Sequence, residues 1–169
     1  MGLKTFIKKN FYNLKFIKKK KSQIKDHIIL ITGASSGIGL GLCKRLVKDN
    51  KIIAVFNNNA TNLKEIKSSN LTYLKCDLSN INDYQEIENQ VIENNIELVF
   101  NCAGQFGSSN QSIHNIDFNN FVNILKVNSL SILKILQFIN KHNKMKYIKK
   151  IINISSDGGS IEMNNQGNA

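Results

Sequence analysis

Short apolar runs and longer amphipathic stretches alternate along most of this chain. The apolar runs are rich in β-branched side chains, which is typical of strands buried on both faces. The stretches between them repeat apolar residues every three or four positions, which is typical of helices with one buried face. This alternation predicts an α/β fold with a doubly wound parallel sheet. Strands are predicted at His27–Thr32, Lys51–Phe56, Leu71–Lys75, Glu97–Phe100 and Lys149–Ile154, and helices at Ile38–Asp49, Thr61–Ser68, Asn80–Asn94 and Phe118–Asn140.

The turn after the first predicted strand is the most distinctive stretch of the sequence. It reads Thr32-Gly33-Ala34-Ser35-Ser36-Gly37-Ile38-Gly39. Glycine allows a tight turn and a close ligand because it has no Cβ. The helix that follows would direct free N–H groups and the positive end of its dipole at an anion. A strand, a glycine-rich turn and a helix in this order predict a phosphate-binding site, with a flexible loop as the alternative.

Distinctive polar or glycine residues also follow other predicted strands. They occupy positions 77–79, 101–104 and 155–159, besides the turn at 32–39. In parallel α/β sheets the ligand lies at the carboxyl ends of the strands. We therefore expect these four segments to form one site.

The net charge of +11 is concentrated at the N-terminus. Residues 1–25 hold nine lysines and no acidic residue, which leaves 14 basic against 12 acidic residues in the rest of the chain. Because the rest of the chain is close to neutral, its charge argues against nucleic acid as a partner. We therefore divide the chain into an N-terminal extension, residues 1–25, and a domain, residues 26–169.

The N-terminal extension has an amphipathic pattern. At 100° per residue, its apolar residues at positions 3, 6, 7, 11, 14 and 17 fall on one arc and lysines lie opposite. The pattern predicts a basic amphipathic helix that makes peripheral contact with an anionic membrane through residues 1–21. A solvated basic arm is an equally open alternative. The continuous apolar region of a signal peptide is missing.

The cysteines and histidines give no sign of a metal site or a disulfide framework. Cys43, Cys76 and Cys102 lie far apart, and the three histidines are scattered. We expect no bound metal and a reducing, cytoplasmic location.

Five motifs, in order along the chain, resemble those of the short-chain dehydrogenase/reductase family in its standard-length subgroup. The glycine-rich turn matches the family's T-G-x-x-x-G-I-G motif, and Asp77-Leu78 matches the pair that meets the adenine ring. Asn101-Cys102-Ala103-Gly104 matches N-N-A-G with one replacement. Val127-Asn128 matches the segment carrying the active-site asparagine, and residues 153–156, Asn-Ile-Ser-Ser, match the strand end carrying the catalytic serine. The resemblance implies a Rossmann-type sheet of order 3-2-1-4-5, with the C-terminal part of the domain missing.

The resemblance also implies a nicotinamide dinucleotide cofactor. Asp77 has an alternative interpretation as a helix N-cap shared with Ser79. No acidic residue stands near Phe56, where NAD-preferring members bind the ribose 2′-OH. Because no carboxylate there would repel a 2′-phosphate, NADP(H) is favoured over NAD(H). The residues expected to bind the cofactor are Gly33, Ser35, Ser36, Gly37, Ile38, Gly39, Asn57, Asp77, Leu78, Asn101, Ala103 and Gly104.

The chemistry that the resemblance implies is hydride transfer between a nicotinamide and a small carbonyl or alcohol substrate. It also implies that the full-length chain forms homo-oligomers. Ser156 is expected to donate a hydrogen bond to the substrate oxygen. Asn128 is expected to fix a backbone bend and to hold a water of the proton relay.

The family's general acid is missing from the sequence. It is a tyrosine in a Y-x-x-x-K motif after the catalytic serine, and none of the four tyrosines here has a lysine four residues on. The expectation is a chain that stops before its catalytic Tyr and Lys. A non-catalytic dinucleotide-binding or interaction module is the alternative. An extended-type sugar epimerase is disfavoured, because that subgroup spaces its glycines differently and carries an acid after the second strand.

Overall fold

A computed structural model describes residues 24–107 and 114–156. Five strands form one parallel sheet in the order β3-β2-β1-β4-β5, as predicted. Most of the N-terminal extension and the segment 157–159 lie outside the described residues. The strands are β1 (Ile28–Thr32), β2 (Lys51–Phe56), β3 (Leu71–Lys75), β4 (Leu98–Asn101) and β5 (Lys150–Asn153).

Helices connect successive strands, so that each crossover returns the chain to the same end of the sheet. A π-helical stretch, Lys126–Leu130, joins the last two α-helices. Short 3₁₀ turns cover Ile81–Tyr84 and Met145–Tyr147. The α-helices are α1 (Gly37–Leu46), α2 (Thr61–Lys64), α3 (Gln85–Glu93), α4 (Phe118–Leu125) and α5 (Ser131–Lys141).

The predicted element boundaries are wrong at several helix ends. The helix predicted to reach Asp49 ends at Leu46, and the one predicted to reach Ser68 ends at Lys64. The helix predicted from Asn80 starts as a 3₁₀ turn, in which the Asn80 side chain accepts a hydrogen bond from the Asn82 N–H. The spacing of apolar residues does not reveal local hydrogen bonds of this kind. Such bonds help to set where helices begin and end.

Two apolar layers cover the sheet, because alternate strand residues point to opposite faces. On one face Ile29 and Ile31 pack in a cluster with Cys43 of α1. On the other face Leu30 packs in a cluster with helical residues of α3 and α5, which are Ile87, Val91, Ile135, Phe138 and Ile139. The described chain therefore has a closed core on both sides of its central strands.

The helical stretch Phe118–Lys141 is long and apolar enough, by length and composition, to cross a membrane. Ile135, Phe138 and Ile139 on this stretch are nevertheless buried in the core. The C-terminal part of the stretch therefore packs in the core of the α/β domain, whereas no residue of α4 is buried.

Glu97 joins three strand starts at the amino end of the sheet. Its carboxylate accepts from the Lys149 ammonium and lies 2.9 Å from His27 Nδ1. Lys149, and after it His27, hold the pKa of Glu97 below its ordinary value. A depressed carboxylate pKa contributes stability above the unfolded-state pKa, and this contribution disappears as pH falls through the folded-state value.

Replacing Glu97 with Gln is therefore expected to lower the unfolding free energy by about 1 kcal/mol at neutral pH. The deficit should shrink as pH falls below the ordinary glutamate pKa and through the lower folded-state pKa of Glu97, because the native carboxylate becomes protonated over that range. Urea unfolding followed by circular dichroism across pH measures both. The exposed Glu65→Gln is the matched control. An unfolding deficit for Glu97→Gln that does not change with pH would contradict the ion-pair explanation.

Candidate functional site

The glycine-rich turn brings β1 and the start of α1 against the loop after β4. Gly33 has a φ of 63°, and a Cβ there would lie 2.6 Å from the backbone nitrogen of Ala103. A Cβ on Gly39 would lie 2.8 Å from the carbonyl carbon of Gly33. Both glycines are therefore required by close backbone packing. The hydroxyl of the buried Thr32 accepts from the Ala103 N–H at 3.2 Å and ties the same two segments together.

Gly37 differs from these two glycines. It has a φ of 52°, but a Cβ on it would meet nothing within 4 Å. The residue therefore borders open space at the first turn of α1. Ser36, the N-cap residue, makes no side-chain hydrogen bond to the helix. The N–H groups of the first turn are thus left for an incoming acceptor, and no acidic residue stands in that turn.

A cleft of about 290 Å³ opens at this point, at the carboxyl edge of the sheet. Ten of the predicted cofactor-binding residues line it: Gly33, Ser35, Ser36, Gly37, Ile38, Asn57, Asp77, Leu78, Ala103 and Gly104. Gly39 and Asn101 are not among the lining residues and support the walls from behind. The structure therefore brings together segments that are separated by more than 60 positions in the sequence.

The Asp77 carboxylate takes part in a local turn. Its Oδ1 accepts from the Ser79 N–H at 2.9 Å and from the Ser79 hydroxyl at 2.7 Å. The N-cap of the following 3₁₀ turn is Asn80, so the alternative of an N-cap shared by Asp77 and Ser79 is wrong. The turn holds Asp77 and Leu78 at the wall of the cleft.

Asn101 lies at the end of β4, 4% exposed, and links the two last strands. Its Nδ2 donates to Asn153 Oδ1 at 2.7 Å, and the Ile154 N–H donates to its backbone carbonyl at 3.0 Å. Its own Oδ1 is buried and has no hydrogen-bond partner among the residues that the structure describes. The side chain thus braces β4 and β5 behind the cleft.

Asn128 fastens the long helical stretch to the loop after β4. Its Oδ1 accepts from the Gln105 N–H at 2.8 Å and its Nδ2 donates to the Gln105 carbonyl at 3.0 Å. Asn128 stands in the π-helical stretch, a local departure from α-geometry that is frequent at functional sites.

Ser156 lies three residues beyond the end of β5 and is exposed. Neither Ser156 nor Asn128 lines the cleft, although Gln105 and Val127 next to Asn128 do. The two predicted catalytic residues therefore lie outside the enclosed part of the site.

The cleft has no basic side chain in its described lining, which holds one carboxylate, that of Asp77. Burial raises the pKa of Cys76 to about 12 and also raises that of Cys102, so both thiols stay protonated near neutral pH. An anion bound here would depend on backbone N–H groups and the helix dipole.

Six lining residues were not among the predicted cofactor-binding residues, although Cys102 and Val127 stand in the predicted motifs: Val55, Phe56, Cys76, Cys102, Gln105 and Val127. All of them are direct neighbours of strand ends or of predicted site residues. Their position beside those residues was the available signal, because a parallel sheet collects such neighbours at one edge.

A sequence model of the short chain dehydrogenase family matches residues 27–168. The chain belongs to this family. It is an oxidoreductase family, and the observed five-stranded Rossmann fold with order 3-2-1-4-5 agrees with it.

Individual relatives are distant and longer. A "Dehydrogenase/reductase SDR family protein 7-like" of Dictyostelium discoideum is 34% identical over 97 residues, which are 57% of this chain and 28% of that protein. A solved 4-hydroxyisoleucine dehydrogenase complexed with NADH is 26% identical with a TM-score of 0.67, covering 78% of this chain and 55% of that one. A short-chain dehydrogenase from Sphingobium yanoikuyae in complex with NADPH has a TM-score of 0.64 at 21% identity, covers 78% of this chain and 54% of that chain, and shows the shared fold. The chain thus spans between about a quarter and just over half of the length of these relatives.

Proposed function

We propose that this chain forms the dinucleotide-binding part of an NAD(P)-dependent oxidoreductase that acts on a small carbonyl or alcohol substrate. The observation that carries the proposal is the uncapped N-terminus of α1, which opens with Gly37 onto the cleft. A pyrophosphate there would accept hydrogen bonds from the first-turn N–H groups. The Rossmann-type relatives solved with NADH and NADPH support a nicotinamide dinucleotide.

NADP(H) is proposed as the preferred form. Asn57 lies on the cleft wall after β2, at the place where a carboxylate would bind the ribose 2′-OH of NAD. An amide does not repel a 2′-phosphate, and its Nδ2 is a hydrogen-bond donor. No cation in the described lining adds an attraction, so the preference rests on the missing repulsion.

The bound cofactor would supply the hydride, and the chain would orient the substrate. Ser156, beyond β5, is proposed to donate a hydrogen bond to the substrate oxygen, where charge changes during transfer. Asn128 is proposed to position the loop at Gln105, since it already holds that backbone through two hydrogen bonds. The residues proposed to bind the cofactor are the ten predicted ones that line the cleft, while Gly39 and Asn101 are proposed to support its walls.

A Gly37→Leu variant tests the proposed cofactor site. We expect it to bind NADPH roughly tenfold or more weakly, because the side chain would fill the open space at the first turn of α1. Gly41→Leu controls for side-chain bulk, since Gly41 is in the same helix and also has nothing within 4 Å of a Cβ. Circular dichroism of both variants separates lost binding from lost folding, because a side chain at the positive φ of Gly37 strains the backbone. Fluorescence titration with NADPH and NADH measures both affinities. Equal NADPH affinity of the two variants would contradict the proposed cofactor site. Tighter binding of NADH than of NADPH by the native chain would contradict the proposed preference.

The proposal extends to partners and location. We infer a cytoplasmic protein whose full-length form is a homo-oligomer. The lysine-rich extension is proposed to make peripheral contact with anionic membranes through residues 1–21. Its amphipathic spacing in the sequence supports this contact.

A further inference from the structure

The segment 141–150, here named the lysine segment, is the most basic stretch among the described residues. It contains five lysines and one histidine and no acidic residue. It runs from the end of α5 through the second 3₁₀ turn to the first residue of β5. This stretch plays no part in the site described above.

Nearby carboxylates compensate only part of this charge. Lys141 and His142 share Glu88, and Lys149 pairs with Glu97. Lys144, Lys146 and Lys150 have no carboxylate partner within the described residues, and Lys144 bonds only a neutral amide oxygen, that of Asn95. Three uncompensated positive charges therefore lie within seven consecutive residues.

Apolar groups are interleaved with these lysines. The Lys144 and Lys146 ammonium groups lie 5.7 and 5.2 Å from the centroid of the Tyr147 ring. Met145, between the two lysines, is 43% exposed. Lysines alternating with an exposed apolar side chain and an aromatic ring are typical of surfaces that meet a bilayer interface.

The lysine segment lies at the amino end of the sheet, away from the cleft. Lys150 begins β5, and the cleft lies at the carboxyl ends of the parallel strands, roughly 15 Å away along them. His27 and Lys149 share the carboxylate of Glu97. The chain that leads to the N-terminal extension therefore leaves the domain beside the lysine segment.

We propose that the lysine segment is a docking surface for an anionic lipid bilayer, which leaves the cofactor cleft facing away from the membrane. The inference extends the proposed membrane contact of residues 1–21 and adds a second, folded contact to it. Anionic headgroups attract each lysine near the surface, and Met145 enters the interface between them. Nucleic acid fits less well, since a phosphate backbone offers nothing to the apolar arc of the extension or to Met145.

Vesicle co-sedimentation of the whole chain tests the surface. We expect a triple variant to bind phosphatidylserine-containing vesicles more weakly, by about fivefold for each lysine that contributes fully. The variant replaces Lys144, Lys146 and Lys150 with Ala. Lys64, Lys75 and Lys126, replaced together, remove the same charge from exposed positions elsewhere and should change binding little. Equal losses in both triple variants would reduce the effect to net charge and overturn the proposal. A chain starting at Ser22 tests the extension separately, so that failure of the extension and failure of the lysine segment give different results.

The orientation has its own measurement. An environment-sensitive fluorophore on Met145→Cys should shift to shorter wavelength when anionic vesicles are added. The same label on Ile81→Cys should not shift, because Ile81 is 67% exposed and follows the carboxyl end of β3. A shift at Ile81, or none at Met145, would overturn the orientation. Tighter binding of single-stranded RNA than of the vesicles, lost in the lysine-segment variant, would overturn the choice of a membrane.

Discussion

Replacing Gly39 with alanine is expected to lower the unfolding free energy by about 2–3 kcal/mol. A Cβ at this position would lie 2.8 Å from the carbonyl carbon of Gly33 and 3.1 Å from the Cα of Ala34. Both neighbours are backbone atoms of the turn that β1 and α1 hold in place, so neither moves away cheaply. Urea unfolding followed by circular dichroism gives the change.

Gly41→Ala is the control for this prediction. Gly41 lies two residues further along α1, and a Cβ on it would meet nothing within 4 Å. We expect this variant to gain about 0.5–1 kcal/mol, because alanine is the better helix former. The two substitutions are chemically identical, so opposite signs would show that packing against the turn sets the requirement at Gly39. Two variants with the same gain would contradict the packing explanation.

The sheet was predictable because its signal is strong and local. The bounds predicted for β2 and β3 agree with the structure, and the strand order follows from the motifs. A short apolar run such as that of β2 is typical of a strand covered on both faces, and β2 is buried from Ile52 to Val55. Helix ends were less predictable, since the side chain of Asn80 and the turn after Leu46 compete with helix continuation.

The walls of the cleft were predictable for a different reason. Parallel strands deliver their carboxyl ends to one edge, so polar residues after several strands must meet there. What each side chain does there was not predictable. The Asp77 carboxylate is occupied by Ser79, and Asn128 reaches a backbone 23 positions earlier in the sequence. Such pairings depend on tertiary contacts that no local pattern contains.

A protein of these 169 residues is expected to bind dinucleotide but to reduce no carbonyl substrate. Hydride delivery to a carbonyl leaves an alkoxide, which needs a proton from a positioned acid. In the family a tyrosine supplies it, with a lysine that lowers its pKa. No tyrosine of this sequence has a lysine four residues on. The roles proposed for Ser156 and Asn128 are to orient groups, and neither side chain can replace that acid.

The tyrosines that the structure describes do not fill this role. Tyr84 contacts the cleft wall at Leu78, but it is 3% exposed and its hydroxyl donates to the Leu78 carbonyl at 2.8 Å. Burial raises the pKa of Tyr84 further, which makes it a poorer acid. Tyr73 lies on the edge strand β3, and Tyr147 lies at the amino end of the sheet.

NADPH oxidation with a panel of aldehydes and ketones measures this expectation, and NADPH binding by the same sample shows that the site is formed. Ser156→Ala provides the decisive comparison. Carbonyl-dependent oxidation by the native chain that disappears in Ser156→Ala would show that this site finds its proton without the tyrosine, and the proposed chemistry would need another acid. Binding without oxidation agrees with a missing acid. It also agrees with a non-catalytic dinucleotide-binding module, until a longer form of the protein with Y-x-x-x-K after Ser156 is assayed beside it.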